Sequence, residues 1–131
     1  MICYLAGKFR WRLVIRQVAT KLETHGHTVI ARWLHGHDSP TSPEIQARWA
    51  ADDFEDINQC DAVVVFQFPC DEPEPSTGRH VELGYALGKG IPVILVGLPT
   101  SVFHYAVGMT RFASLESFYD TYAPTQKVET L

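Results

Sequence analysis

The sequence has little cysteine, no long apolar run and no excess of basic charge. Its 131 residues include 3 cysteines, whose spacing fits neither a disulfide framework nor a metal site. The longest apolar runs have the length of strands, so no membrane span is predicted. The formal net charge of −4 lacks the basic footprint of a nucleic-acid-binding protein. We therefore expect neither a membrane nor a nucleic-acid polymer among the partners.

Other absences bear on compartment, cofactors and metals. The chain begins without a signal-peptide pattern, and an odd number of cysteines fits a reducing compartment, so we expect a cytoplasmic protein. The turn after the first strand, Gly7-Lys8-Phe9-Arg10, lacks the Gly-x-Gly-x-x-Gly spacing of a dinucleotide site. The motif His35-x-His37-Asp38 has no third and fourth ligand at the usual spacing, so no metal is predicted.

What the chain does have is a regular alternation of apolar strands and helical patterns. Strands are predicted at 2–6, 27–31, 61–66, 91–96 and 109–112, and helices at about 10–24, 41–59, 78–89 and 115–122. There are no internal repeats and no linker, so 1–131 is predicted to be a single domain. The tail after residue 124 is polar, and we expect it to be flexible.

This alternation predicts an α/β three-layer sandwich with a five-stranded, mainly parallel sheet. A strand order of 2-1-3-4-5 would make it flavodoxin-like, a Rossmann-like arrangement. In that order a crevice opens where strands one and three end, at the point where the direction of winding changes. The turn after strand one, the loop after strand three and the following helix should meet at this crevice.

The segment 76–88 carries the most information about function. A polar, glycine-containing turn that opens a helix after a buried strand is where open α/β sheets bind ligands. Glu82 is its one carboxylate, and the sequence places it in the first turn of the helix. There the helix dipole and Arg79 would favour the ionised form, which suits a nucleophile or an electrostatic stabiliser.

A second acid would have to supply protons. Two groups of acids are candidates, one on the helix before strand three and one in the loop after it. They are Asp52, Asp53, Glu55 and Asp56 on the helix, and Asp71, Glu72 and Glu74 in the loop. Two carboxylates in different environments are the minimum equipment for cleaving a glycosidic bond.

Three motifs occur in order on the predicted elements: Tyr4-Leu5-Ala6-Gly7-x-Phe9, Asp53-x-x-x-Ile57-x-x-x-Asp61 and Gly78-x-x-x-Glu82-Leu83-Gly84-Tyr85-Ala86. Together they resemble the nucleoside 2-deoxyribosyltransferases and the related 2′-deoxynucleoside 5′-monophosphate N-hydrolases, to about residue 118. The resemblance implies a flavodoxin-like fold and cleavage of an N-glycosidic bond. The sugar would pass to another nucleobase or to water, with no metal or organic cofactor.

The resemblance also implies roles for individual residues. Glu82 would attack C1′ of the deoxyribose and form a covalent glycosyl-enzyme. Asp53 would assist proton transfer or position the base. Tyr4 would orient the nucleophile, and Phe9 would line the base pocket.

Ser76 bears on the choice between nucleoside and nucleotide. Transferases of free nucleosides usually carry an aspartate at this position, whereas the monophosphate hydrolases carry a serine that binds phosphate. Lys8 and Arg10 lie on the turn where those hydrolases also bind phosphate, so the sequence favours a nucleotide. Asp71 would weaken this inference if its loop folds back to supply the acid. The residues expected at the substrate are Gly7, Lys8, Phe9, Arg10, Ser76, Gly78, Arg79 and His104.

The resemblance further implies a homodimer or higher homo-oligomer, in which a neighbouring subunit completes each site. The contributing stretch would be 102–112, with His104 as the best candidate to face the phosphate or the sugar.

Alternative interpretations remain open from the sequence. Asp53 could form an ion pair with Arg48 or Arg16, and Asp52 and Asp56 are expected at the surface. Trp33 and Trp49 are interpreted as packing or interface residues rather than a base-stacking platform, and contact between Trp33 and the substrate is the alternative for that residue. The whole chain could instead be a non-catalytic module that senses nucleotides, or a flavin- or dinucleotide-binding domain of the same topology.

Overall fold

The computed structural model describes residues 1–36, 42–68 and 77–125. Its centre is a five-stranded sheet in the order β2-β1-β3-β4-β5, with every neighbouring pair parallel. The strands are β1 Ile2–Ala6, β2 Thr28–Val29, β3 Ala62–Gln67, β4 Val93–Gly97 and β5 Met109–Phe112. The predicted flavodoxin-like sheet and its strand order 2-1-3-4-5 are confirmed.

Four α-helices and three short 3₁₀ helices connect the strands within the described residues. The α-helices are α1 Arg12–Thr24, α2 Pro43–Asn58, α3 Gly78–Gly88 and α4 Leu115–Tyr122, and the 3₁₀ helices are Phe9–Trp11, Arg32–His35 and Val102–Tyr105. Ser42 caps α2 by accepting a hydrogen bond from the amide of Ile45. In these ranges no helix is both long enough and apolar enough to cross a membrane.

The helices cover both faces of the sheet. On one face α2 and α3 pack against each other and against β1. On the other face Nζ of Lys21 in α1 lies 4.1 Å from the ring centroid of Tyr119 in α4. The ring of Phe118 in α4 also packs edge-on against Phe66 of β3. The predicted three-layer sandwich is therefore present, with α2 and α3 together above the strand that carries Tyr4.

The element boundaries agree with the sequence pattern to within two residues, but β2 keeps only two of its five predicted residues. The pattern predicts a strand over 27–31, but only Thr28–Val29 pairs with β1. The chain leaves the sheet at Ala31, because Asp56 of α2 binds the backbone amide and the Nε of Arg32 at 2.9 and 3.0 Å. The tail at 126–131, predicted to be flexible, lies outside the described residues.

Gly97 ends β4 beside Gln67, the last residue of β3. Its φ of 131° is one that other residues rarely adopt, and a Cβ there would overlap the carbonyl oxygen of Gln67. The close approach of these two strand ends fixes the edge of the sheet from which the loops of the crevice leave.

The fold therefore predicts that Gly97→Ala destabilises the protein, by about 2–4 kcal/mol from backbone strain and overpacking. Gly88→Ala is the matched control, because Gly88 ends α3 with open space around it. The control should be neutral or slightly stabilising, since alanine favours helix. Denaturant unfolding measures both free energies. Equal stability of the two variants would contradict the assigned constraint at Gly97.

Candidate active site

The side chain of Tyr4 lies at the centre of the site. It projects from β1 beneath α2 and α3, and none of its surface is exposed. Burial raises the pKa of Tyr4 well above its usual range, and the neighbouring carboxylates of Glu82 and Asp53 raise it further. The hydroxyl therefore keeps its proton, and with a single O–H it can donate to only one of the two carboxyl groups at a time.

Glu82 reaches Tyr4 from α3, but not from the first turn of that helix. Because α3 begins at Gly78, Glu82 is in its second turn, and the first turn holds no acid. Burial raises the pKa of Glu82 to about 8; the Tyr4 hydroxyl opposes this shift, and the charge of Asp53 adds to it. The expectation of a carboxylate kept ionised by the helix dipole is therefore wrong. The carboxyl is buried beside a second acid, and this environment favours its protonated form.

Asp53 approaches Tyr4 from α2 and is half-buried. Burial raises its pKa to about 6, and the Tyr4 hydroxyl lowers it. The charges of Asp56 and Asp52 raise the pKa of Asp53 further, whereas Arg32 lowers it. The cation that acts on Asp53 is thus Arg32, rather than the Arg48 or Arg16 considered from the sequence.

The two carboxyl groups form a coupled pair. The charge of Asp53 raises the pKa of Glu82, and the Tyr4 hydroxyl lowers the pKa of both carboxyl groups. Such a pair releases its protons in two steps that belong to the pair. Between about pH 6 and 8 it holds one proton.

Part of the hydrogen-bonding capacity of this centre is unused. The Tyr4 hydroxyl and Oε2 of Glu82 are buried, and neither forms a hydrogen bond within the described residues. Buried polar atoms rarely lack a hydrogen-bond partner, and a catalytic role is one explanation for those that do. Gly78 lies next to the same carboxylate, since a Cβ there would be 3.7 Å from Oε1 of Glu82.

Asp56 and Asp52 belong to a structural contact beside the site. Asp56 is 2% exposed, so the expectation that it lies at the surface is wrong. It binds Arg32 through both carboxylate oxygens, and Oδ1 of Asp52 lies 3.4 Å from the same guanidinium. These contacts attach the 3₁₀ helix Arg32–His35 to α2, because burial of the Asp56 charge requires a paired partner.

An aromatic cluster adjoins the carboxylates. The ring of Phe9 lies 6.4 Å from that of Trp33 and 5.8 Å from that of Trp49, between centroids. Trp33 is held by a hydrogen bond from its Nε1 to the carbonyl of Leu5, at 2.8 Å. Beside these rings is a cleft of about 190 Å³, which we name the aromatic slot; its lining residues are Arg32, Trp33, His35, Gly36, Trp49, Asp52 and Asp53.

The aromatic slot joins residues that the sequence interpretation separated. Phe9 was expected near a base, whereas Trp33 and Trp49 were interpreted as packing or interface residues. Trp49 precedes Asp53 by four positions on α2, a spacing that puts both on one helical face. This four-residue spacing is the feature of the sequence from which the placement of Trp49 beside Asp53 could have been predicted. Flat rings beside a carboxyl group can hold a planar heterocycle by stacking and hydrogen bonding.

The basic turn and the start of α3 also meet. Lys8 and Arg79 line one small cavity, together with Gln67 and other residues at the ends of β1 and β3. Arg10 is exposed and lies 5.1 Å from the ring centroid of Trp11, outside that lining. Gly7 is packed tightly, since a Cβ there would be 2.5 Å from Cδ1 of Ile15. The two cations that come together are therefore Lys8 and Arg79.

His104 is buried within its own subunit. Its Nδ1 accepts hydrogen bonds from the backbone amides of Thr100 and Ser101, at 3.0 and 3.3 Å. The proton must then sit on Nε2, which is buried without a described partner. Burial lowers the pKa of His104, and Arg79 lowers it further. His80 lies 6.1 Å away, between ring centroids.

Several predicted residues lie outside the described chain. Ser76, Asp71, Glu72 and Glu74 are among them, as are His37 and Asp38 of the histidine motif. Within 1–36, 42–68 and 77–125, no three His, Cys, Asp or Glu side chains come together as a metal site would require.

Three solved structures share the fold over most of their length. A 2-deoxyribosyltransferase from Bacillus psychrosaccharolyticus has a TM-score of 0.67 and 22% identity, covering 86% of this chain and 85% of that one. A CMP N-glycosidase from Clostridium botulinum has a TM-score of 0.61 and 19% identity, with coverages of 90% and 94%. A 2-deoxyribosyltransferase from Leishmania mexicana has a TM-score of 0.58 and 18% identity, with coverages of 89% and 93%.

Sequence comparison gives the more decisive result. No curated protein matches the chain significantly. The family model for nucleoside 2-deoxyribosyltransferases, however, matches residues 3–111. That range includes Tyr4, Asp53 and Glu82 and covers most of the sequence. The chain therefore belongs to the nucleoside 2-deoxyribosyltransferase family.

Proposed function

We propose that this protein cleaves the N-glycosidic bond of 2′-deoxyribonucleosides or their 5′-monophosphates through a covalent bond to Glu82. The sugar then passes to another nucleobase or to water. Family membership supports the bond that is cleaved. The observation that carries the mechanism is the buried Tyr4 hydroxyl facing the carboxyl groups of Glu82 and Asp53, beside the aromatic slot.

In the first half-reaction a carboxylate oxygen of Glu82 attacks C1′. The bond from C1′ to the base nitrogen breaks, and its electron pair goes to the base. Asp53 donates its proton to the departing base, directly or through a water molecule. The reactive state carries the proton of the pair on Asp53, with Glu82 ionised. Because the pKa of Glu82 is the higher of the two, the proton rests on Glu82 before the reaction and must pass to Asp53 before attack.

In the second half-reaction the ester to Glu82 is broken. A nucleobase nitrogen or a water oxygen attacks C1′, and the electron pair of the ester bond returns to Glu82. The proton lost by the attacking group passes to Asp53, which restores the starting state. Transfer and hydrolysis therefore share the same residues and differ in which acceptor occupies the slot.

Tyr4 serves both half-reactions by stabilising the ionised form of each carboxyl group. Its hydroxyl lowers the pKa values of Glu82 and Asp53, which burial alone would raise further. Because the hydroxyl is fixed on a central strand, it also orients the carboxylate of Glu82 for attack. The aromatic slot would hold the base flat against Trp33 and Trp49, next to Asp53.

We include the 5′-monophosphates because of the charges at the start of α3. Lys8 and Arg79 lie at one cavity, and the backbone amides of the first turn of α3 begin at Gly78. Cations beside a helix N-terminus favour a phosphate group. The CMP N-glycosidase that shares the fold acts, by its name, on a nucleoside monophosphate.

We further propose a homo-oligomer in which the stretch after β4 meets a neighbouring subunit. Four apolar side chains within 102–112 are exposed: Val102, Phe103, Tyr105 and Val107. An apolar patch of this kind supports a protein interface. His104 is buried beneath it, so the contact residues offered to a neighbour are these four.

The function is tested by incubating the protein with deoxynucleosides and deoxynucleoside 5′-monophosphates, with and without an acceptor base. Chromatography then detects released or exchanged base. We expect base release in the presence of wild-type protein. Stoichiometric binding of a nucleotide with no release across the panel would instead support the non-catalytic sensing module.

Replacement of the nucleophile gives the sharpest variant. Glu82→Gln preserves shape but cannot form the glycosyl ester, so kcat should fall by at least about a thousandfold. Glu116→Gln is the matched control, since Glu116 is an exposed acid in α4. It should retain wild-type kcat. Full activity of Glu82→Gln would rule out the proposed intermediate.

The coupled acids predict a bell-shaped pH profile for kcat/KM. Activity should rise as the pair loses its first proton near pH 6 and fall as it loses its second near pH 8. Tyr4→Phe removes a group that lowers both pKa values, so both limbs should move to higher pH. Tyr119→Phe, on the opposite face of the sheet, should leave the profile unchanged. Unshifted limbs in Tyr4→Phe would contradict the role given to its hydroxyl.

A further inference from the structure

Arg12 contacts both Gly36, which lines the aromatic slot, and Phe9, whose ring packs against the two tryptophans of the slot. It is the first residue of α1, and its Nε donates to the carbonyl of Gly36 at 3.1 Å. Its Nη1 donates to the carbonyl of Phe9 at 3.3 Å, and its Cζ lies 4.4 Å from the centroid of the Phe9 ring. One guanidinium therefore fixes the position of Phe9 and that of Gly36, which follows the 3₁₀ helix Arg32–His35.

Both of these residues touch Trp49. Phe9 packs against its ring, with 5.8 Å between centroids. Gly36 lies so close to it that a Cβ would be 2.5 Å from Cη2 of Trp49 and 3.2 Å from Cζ2. The φ of Gly36 is −69°, which any residue could adopt, so the closeness of the indole ring is what requires a glycine here. The position of Trp49 thus depends on where Arg12 holds Phe9 and Gly36.

Trp33, in contrast, is held by other contacts. Its Nε1 binds the carbonyl of Leu5, and the 3₁₀ helix that carries it is attached to α2 through Arg32 and Asp56. One ring of the slot is therefore fixed to the sheet. The other ring, Trp49, lies on α2 and is limited by Phe9 and Gly36. The gap between the two rings follows from these two sets of contacts.

We propose that Arg12 is a positioning residue that sets the width of the aromatic slot and thereby the affinity for the nucleobase. This inference rests on the proposed function, because that function places a base in the slot. Arg12 does not touch the reacting atoms. It acts through Phe9, Gly36 and Trp49, so its influence falls on the base and not on the sugar or a phosphate.

Lysine cannot replace arginine in this role. The planar guanidinium donates along two directions while its face stacks on an aromatic ring, whereas an ammonium group is a single compact donor site. Arg12→Lys keeps the charge but loses the simultaneous contact with both carbonyls and the ring. Arg12→Met removes the charge and keeps most of the aliphatic stem.

The experiment measures binding of a free nucleobase by quenching of tryptophan fluorescence, which needs no turnover. Competitive inhibition constants are measured for the same base and for deoxyribose 5-phosphate. We expect Arg12→Lys and Arg12→Met to weaken base binding by about tenfold, with inhibition by deoxyribose 5-phosphate unchanged. Arg16→Met, one turn later on the exposed side of α1, is the control and should match wild type.

Gly36→Ala provides an independent variant that leaves Arg12 intact. Its added methyl group would displace Trp49, so base binding should weaken in the same selective way. Thermal unfolding of each variant shows that the fold is retained.

Three results would overturn the inference. The first is wild-type affinity of Arg12→Lys for the base. The second is an equal loss of base binding and of deoxyribose 5-phosphate binding in the Arg12 and Gly36 variants. The third is unchanged base binding in Gly36→Ala. If wild type itself neither binds nor releases base, the proposed function fails; if it releases base while the Arg12 variants are unaffected, only the inference fails.

Discussion

The buried hydroxyl of Tyr4, shared by the carboxyl groups of Glu82 and Asp53, is the constraint around which the site is organised. Burial favours protons on both acids, and the hydroxyl favours their ionisation. The balance leaves a pair that holds a single proton near neutral pH. The proposed mechanism needs that proton on Asp53, so that Glu82 is ionised for attack on C1′ and Asp53 can protonate the base. Burial, which raises the pKa of Asp53, favours its role as the acid, and the Tyr4 hydroxyl favours the ionised form of Glu82.

The fold supplies the geometry for this balance. Tyr4 lies on β1, which is flanked by β2 and β3 at the switch point of the sheet, while α2 and α3 pack over it side by side. Each helix contributes one carboxyl group from the side that faces the strand. The aromatic slot extends the site along α2, where Trp49 and Asp53 share a face. The cations Lys8 and Arg79 lie at the ends of β1 and at the start of α3.

Sequence patterns predicted the sheet order and singled out Glu82, because buried parallel strands and glycine-containing turns leave strong local patterns. Tyr4 and Asp53 were identified by the resemblance to the family. The patterns did not predict the environment of those residues. The start of α3 at Gly78 puts Glu82 in the second turn, and its burial under α2 comes from packing between distant segments. Asp56 lies in a charged run of the sequence, which predicts a surface position, and only the fold pairs it with Arg32. The contact between Gly36 and Trp49 likewise joins separate elements.

The central claim is that the sugar becomes covalently attached to Glu82 during turnover. Rapid acid quenching of enzyme during turnover of a deoxynucleoside or its 5′-monophosphate, followed by proteolysis and mass spectrometry, tests this claim directly. We predict that the peptide containing Glu82 gains the mass of the deoxyribosyl group, with its phosphate when the substrate is a nucleotide. An adduct on another peptide, or rapid base release with no adduct at any quench time, would contradict it.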